Sequence, residues 1–355
     1  MIFLESQFLD RDNNLNLIRA IAAIAVLISH AYPISLGAGT IEPLKELTGY
    51  SLGSLAVFIF FSISGYLIAM SFQNSESRLS FILARFLRLF PALFVNVLFT
   101  VFFIGIITTT LPVKDYLFHS ETLKFIIKNI SLIKLQFTLP GVFTDHPYPT
   151  VLGSIWTLPH EVLCYLGLFF IGIGKFLDKR VAFIFILGIY GFLYVLIQLK
   201  PESNYLIFQL SNLSLPFMIG VSLYVWRSQV PLTIWVVIGM ILLTIISFKS
   251  IFYIPIFMLC IAYSTLYIAQ LPLNILKPYN HLGDYSYGIY IYAFPLQGFS
   301  IWLFKEQTAI FNILISFAMT IFFAVLSWHL IEKPALKSKK IILKKIQSFK
   351  RHILF

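Results

Sequence analysis

Ten runs of about twenty mostly apolar residues make up most of this sequence, at about 15–33, 51–71, 81–110, 154–176, 181–199, 205–226, 231–248, 250–270, 282–304 and 308–331. That pattern leaves few folds open. Hydrocarbon cannot hydrogen-bond a bare backbone, so a membrane is spanned by helices or by strands closed into a barrel. A helix needs about 20 apolar residues to cross roughly 30 Å, whereas a barrel strand needs only about 9–11. The runs have the helical length. Hydrophobic residues make up 59% of the 355 and charged residues 12%, about half the usual charged share of roughly 25%. No soluble core of this size hides so much apolar surface, and the same figures exclude a disordered chain. The fold class is therefore all-α, a polytopic membrane protein with about ten transmembrane helices. The 37 Phe and 18 Tyr suit spans and their interfaces.

Charge sets the orientation. With the N-terminus in the cytoplasm, 18 of the 26 Lys and Arg fall on the inner side, Arg11, Arg19, Arg85, Arg88 and Lys277 among them. Of the 8 on the outer side, half lie in the one long connection, 111–153. The positive-inside rule favours this choice, and both termini are then cytoplasmic. Residues 333–355 carry eight of the basic residues and no Asp or Glu, leaving about +3 of the +11 net charge for the rest. Apolar Ile342, Ile346, Phe349 and Ile353 follow there at helical steps. The stretch reads as an amphipathic helix on anionic membrane lipids. Without a folded basic domain or stacking aromatics, nucleic acid is not an expected partner. The organisation is a transmembrane domain over 1–332 and a basic amphipathic cytoplasmic tail over 333–355. Glu5, Asp10 and Asp12 stand where a signal peptide has its basic start, so the first span is expected to stay in the mature protein. Cys164 and Cys260 lie in separate apolar runs and form no metal or disulfide pattern, and no metal is expected.

Ionisable residues inside spans are costly and usually face a partner or a cavity. Arg19 and His30 share the first span. Eleven steps of about 100° bring them to within about 20° of one face, roughly 16 Å apart along the axis. Glu161 follows Pro159 in the fourth span, in the outer half, at a depth comparable with His30. A carboxylate there can serve the helix N-terminus, or it can orient an imidazole and raise its basicity. Arg85 and Arg88 are i,i+3 neighbours at the cytoplasmic end of the third span. With Arg19 they form a guanidinium-rich mouth suited to a polyphosphate; ordinary positive-inside anchoring is the other role open to them. Ser62, Ser64 and Gly65 leave room for close helix approach. Cys164, one turn from Glu161, has nothing nearby to activate it and reads as packing.

Six blocks in order give the chain a resemblance. They are Arg19-(ten residues)-His30; Phe61-Ser62-Ile63-Ser64-Gly65-Tyr66-Leu67-Ile68; Arg85-Phe86-Leu87-Arg88-Leu89-Phe90-Pro91; Ser154-Ile155-Trp156-Thr157-Leu158-(two residues)-Glu161; Gly283-Asp284-Tyr285-Ser286-Tyr287-Gly288-Ile289-Tyr290; and Ile331-Glu332-Lys333-Pro334. Together they resemble acyltransferase family 3, integral-membrane acyltransferases of the bacterial inner membrane. The resemblance implies transfer of an acyl group, most often acetyl, from acyl-CoA to a hydroxyl. The acceptor would be a surface polysaccharide, lipopolysaccharide or other glycan, including lipid-linked saccharides. No cofactor would be bound permanently; acetyl-CoA or another acyl-CoA is the co-substrate. In that scheme Arg19, Arg85 and Arg88 hold the CoA phosphates and His30 is the general base. Glu161 orients the imidazole or holds the sugar, Ser64 stabilises the oxyanion, and Trp156 contacts substrate. An imidazole with an ordinary pKa of about 6.5 suits the base. The chain departs from many relatives at Ala293, just before Phe294-Pro295, where they carry a histidine. It also resembles the stand-alone forms, without a fused extracytoplasmic hydrolase-like domain. A transporter with a buried polar site is the rival class, against which stands the lack of broken helices in repeated halves.

Overall fold

The apolar runs form helices in the computed structural model, which describes residues 3–4, 13–202, 204–271, 279–305 and 307–353. Glu5, Asp10, Arg11, Asp12 and Lys277 lie outside the described residues, as do the side chains of Phe349 and Ile353. Helices stand at all ten expected places. They are α1 (Leu15–Leu36), α2 (Leu52–Gln73), α3 (Arg78–Thr108), α5 (Ser154–Ile173), α6 (Arg180–Gln198), α7 (Tyr205–Val225), α8 (Ile234–Ile246), α9 (Tyr253–Gln270), α10 (Ser286–Phe304) and α11 (Ala309–Ser327). The long connection adds α4 (Ser120–Ser131), and α12 (Lys333–Ile353) follows α11. The protein is an all-helical, polytopic membrane protein.

Eight of the ten helices are long and apolar enough to cross a membrane, and the other two differ for separate reasons. α8 has only 13 residues, about 20 Å of helix at 1.5 Å each. α10 has 19, but it carries Ser286, Tyr287, Tyr290, Tyr292, Gln297 and Ser300, all buried. A helix buried nearly all round meets protein rather than lipid, so it tolerates polar groups that a lipid-facing span does not.

α11 runs into α12 through a π-helical turn, Trp328–Glu332, as a single helix of 40 residues from Ala309 to Ser348. At 1.5 Å per residue that is about 60 Å, twice the hydrocarbon thickness. The basic half packs along α3. Ile342, Leu343 and Ile346 are half-buried, while Lys344 and Lys345 are exposed.

The chain divides into two compact units of interleaved segments. The first comprises residues 1–22, 54–74 and 160–282; the second comprises 23–53, 75–159 and 283–355. In the first, α2 and α7 touch backbone to backbone. A Cβ at Gly65 would stand 2.0 Å from the Phe217 carbonyl oxygen, and one at Gly220 would stand 2.1 Å from that of Ser62. The small residues there are what allow the approach.

In the second unit, α10 and α11 form the tightest helix pair. α3 opens on Ser77, whose hydroxyl caps the Ser80 amide at 3.1 Å. It widens to a π-turn at Thr100–Gly105. The Tyr116 hydroxyl enters that widened turn and donates to the Val101 carbonyl at 3.0 Å. A Cβ at Gly105 would lie 1.9 Å from the same oxygen, so the glycine makes room for it. This joint fixes the start of the long connection on the end of α3.

Candidate active site

His30 lies on α1 in the second unit and is half-buried. Its imidazole meets the edge of the Phe294 ring, with centroids 5.2 Å apart and planes at 73°. Its Nδ1 is buried and makes no hydrogen bond among the described residues. A buried ring nitrogen without a partner is unusual. Phe294 in turn packs with Ile34, Ile301 and Tyr148. Gly153 lets the ring seat there: a Cβ on it would stand 2.4 Å from Phe294 Cζ. The residue beside His30, Ser29, donates to the buried Glu42 carboxylate, which also accepts the Leu52 amide at 2.7 Å. Glu42 therefore ties the middle of α1 to the start of α2. Trp156, in the first turn of α5, is half-buried. Its neighbour Thr157 donates to Tyr290 Oη at 2.6 Å, and Tyr290 donates to the Ser154 carbonyl at 2.7 Å.

The second unit also gathers three of the sequence blocks at one point. Arg88 donates to Asp284 at 2.6 Å and to Glu332 at 3.4 Å. Its guanidinium lies 5.9 Å from the Tyr287 ring and 6.0 Å from that of Trp328. Asp284 also accepts from the Ser286 hydroxyl and amide, and Glu332 accepts from Ser327 Oγ at 3.0 Å. Gly283 closes the cluster, since it holds φ +139° and a Cβ there would reach 2.2 Å from the Trp328 indole nitrogen. Two carboxylates thus meet the Arg88 guanidinium within the protein, and its fork is engaged. Arg85, one turn earlier, is half-buried with its guanidinium 5.9 Å from the Phe81 ring.

In the first unit, Glu161 on α5 accepts hydrogen bonds from Tyr165 Oη and, at 3.5 Å, from Ser64 Oγ on α2. Arg19 is half-buried near the start of α1. The structure thus places Glu161 with Ser64 in one unit and His30, Trp156, Arg85 and Arg88 in the other.

Comparison with known proteins shows the family. The family model described as an acyltransferase domain, acyltransferase family 3, matches residues 12–329. The chain belongs to acyltransferase family 3. It is 32% identical over 337 residues to an "O-acetyl transferase" of Shigella phage Sf6, covering 91% of this chain and 96% of that one. It is 33% identical over 165 residues to "Nodulation protein 10" of Rhizobium leguminosarum bv. viciae, covering 44% and 43%. No solved structure matches. The protein is a multi-pass membrane acyltransferase.

Within this acyltransferase, four residues beyond the sequence-derived set now have contacts. Tyr165 stands four residues after Glu161, the spacing that puts two side chains on one helix face. Asp284 and Glu332 were visible only as letters within the matched blocks; a buried arginine that must find carboxylates is the signal that points to them. Glu42, in the connection after α1, carries no signal in its neighbours. Ala293 is buried, and the following Phe294 faces His30.

Proposed function

We propose that this acyltransferase is an O-acetyltransferase of the bacterial inner membrane, moving acetyl from acetyl-CoA to a hydroxyl of a surface glycan. The observation that carries the reading is His30, a half-buried imidazole whose Nδ1 has no hydrogen-bond partner among the described residues. It stands in a chain similar along almost its whole length to a phage O-acetyl transferase. The imidazole takes the proton of the acceptor hydroxyl as that oxygen attacks the thioester carbonyl. The C–S bond then breaks, and the proton passes to the departing CoA thiolate. Phe294 keeps water from the base side of the ring. Arg19 and Arg85 each supply a guanidinium for CoA phosphates. Arg88, bound to Asp284 and Glu332, positions the helix that carries Arg85. Glu161, with the Tyr165 and Ser64 hydroxyls donating to it, supports transfer as a carboxylate, and Trp156 lines the substrate path. The α12 lysines meet anionic lipids.

The test is incorporation of labelled acetyl from acetyl-CoA into surface glycan. His30→Ala and His30→Gln should keep acyl-CoA binding and lose transfer by about 10²–10⁴. A folded His30→Ala protein that transfers at the wild-type rate would remove the base from the scheme.

A further inference from the structure

The ends of α1, α3 and α10, the start of α11 and the segment before α5 enclose a cavity of about 720 Å³ within the second unit. That volume lies in the ~300–1,000 Å³ range of small-molecule sites. By the charge-derived orientation it opens on the outer side. Five of its lining residues carry hydroxyls, Ser35 and Thr110 among them. Among the described residues its formal charges are Asp145 and Lys305, of opposite sign. His146 stacks on Phe143, 4.4 Å apart at 13°, and burial pushes its imidazole down to about 4, so it is neutral at pH 7. The Trp302 indole is 39% exposed at the wall. Two polar atoms of this lining, Ser35 Oγ and His146 Nδ1, are buried without a hydrogen-bond partner among the described residues. Groups of that kind normally find partners, so a ligand that brings hydroxyls would satisfy both.

The cavity also adjoins the proposed base. Ser35 follows His30 by five residues on α1, about 7.5 Å along the axis. Ile301, at the cavity wall, packs with the Phe294 ring that meets His30. The geometry points to this cavity as the binding site of a neutral, hydroxyl-rich saccharide, the acceptor glycan, with a sugar face on Trp302 and ring hydroxyls on Asp145, Ser35 and His146. Among the described lining residues no arginine stands ready for a phosphate, and the five hydroxyls with Asp145 favour a saccharide over an acyl chain. The assignment of the saccharide as acceptor rests on the O-acetyltransferase reading; the presence of a saccharide site does not.

Two measurements test it. In cells that make the protein and its surface glycans, p-benzoylphenylalanine replaces Thr144 or Trp302, with Lys124 as a site outside the cavity. Irradiation should give adducts carrying hexose-type masses at 144 or 302 and none at 124. Phospholipid adducts, no adducts at both cavity positions, or equal glycan adducts at 124 would overturn the proposal. In purified protein with acetyl-CoA and glycan extracted from those cells, Asp145→Ala and Trp302→Ala should raise the acceptor KM about tenfold or more. Lys124→Ala should leave it unchanged. Wild-type transfer with unchanged acceptor KM in both cavity variants sinks the inference while the O-acetyltransferase reading stands. Glycan adducts at the cavity without transfer by the wild-type protein keep the saccharide site and sink that reading.

Discussion

Replacing Arg88 by alanine separates two roles for this residue, and the structure supplies the magnitude. The side chain is 14% exposed and joins Asp284, 11% exposed, to Glu332, 1% exposed. Without it two carboxylates lose the guanidinium that joins them, and the serine hydroxyls that donate to them carry no charge to replace it. Breaking a buried ion pair from one side costs about 3–5 kcal/mol, because it strands the other partner's charge. At ~2–4 °C per kcal/mol for a unit of about 150–250 residues, that is a fall of roughly 6–20 °C in the unfolding midpoint. Arg88→Lys keeps one strong contact but cannot span both acids. It should lose about 1.5–3 kcal/mol, the worth of one hydrogen bond to a charged group. Removing the stranded charges should restore what alanine costs: Arg88→Met with Asp284→Asn and Glu332→Gln should recover most of the midpoint. The assay is thermal unfolding of detergent-purified protein, followed by tryptophan fluorescence alongside acyl-CoA binding. An Arg88→Ala protein with a wild-type midpoint and weakened acyl-CoA binding would refute the structural role and return this guanidinium to the phosphates.

Arg85 should behave in the opposite way. Arg85→Ala should keep its midpoint and weaken acyl-CoA binding about ten- to a hundredfold by equilibrium titration, with Arg85→Lys recovering part of it. Gly153→Ala should push the Phe294 ring off its seat, costing about 1–3 kcal/mol of stability and lowering acyl transfer. The smaller ring-site variant Phe294→Leu should partly restore both, and an unchanged turnover in Gly153→Ala would disconnect Phe294 from the site. His146 makes stability pH-dependent. Its folded pKa of about 4 lies below the ordinary 6.5. Its contribution is therefore complete above pH 6.5 and falls away as the pH drops towards 4, because the unfolded chain takes up the proton first. His146→Gln should flatten the unfolding midpoint between those values, and an unaltered slope would show that other groups set it.

Much of the fold was legible because the membrane imposes it. Length and apolarity alone located ten helices, while what surrounds each of them depends on neighbours. α10 looked like one span among ten from its 282–304 run. Its polar residues are tolerated because protein surrounds it, and a single sequence does not record which helices surround which. The tail shows the same gap. Eight basic residues after 332 mark an amphipathic helix, and the Trp328–Glu332 π-turn that joins it to α11 and its packing along α3 depend on neighbours that the sequence does not name.

The candidate site was legible one helix at a time. Helical period puts Arg19 and His30 on one stripe and Arg85 beside Arg88, and the same rule, carried four residues past Glu161, reaches Tyr165. It does not say which arginine meets which carboxylate. Arg85 and Arg88 look equivalent in sequence, three residues apart at the same membrane depth. The difference comes from partners about 200 and 240 residues away, Asp284 beside a glycine that accepts φ +139° and Glu332 in a widened turn. Those backbone exceptions bring two carboxylates to a single guanidinium, and a buried charge so matched is spent on structure. Arg88 thus ties α3 to the start of α10 and to the turn after α11, and Arg85→Ala and Arg88→Ala measured side by side decide which of this i,i+3 pair acts on the donor.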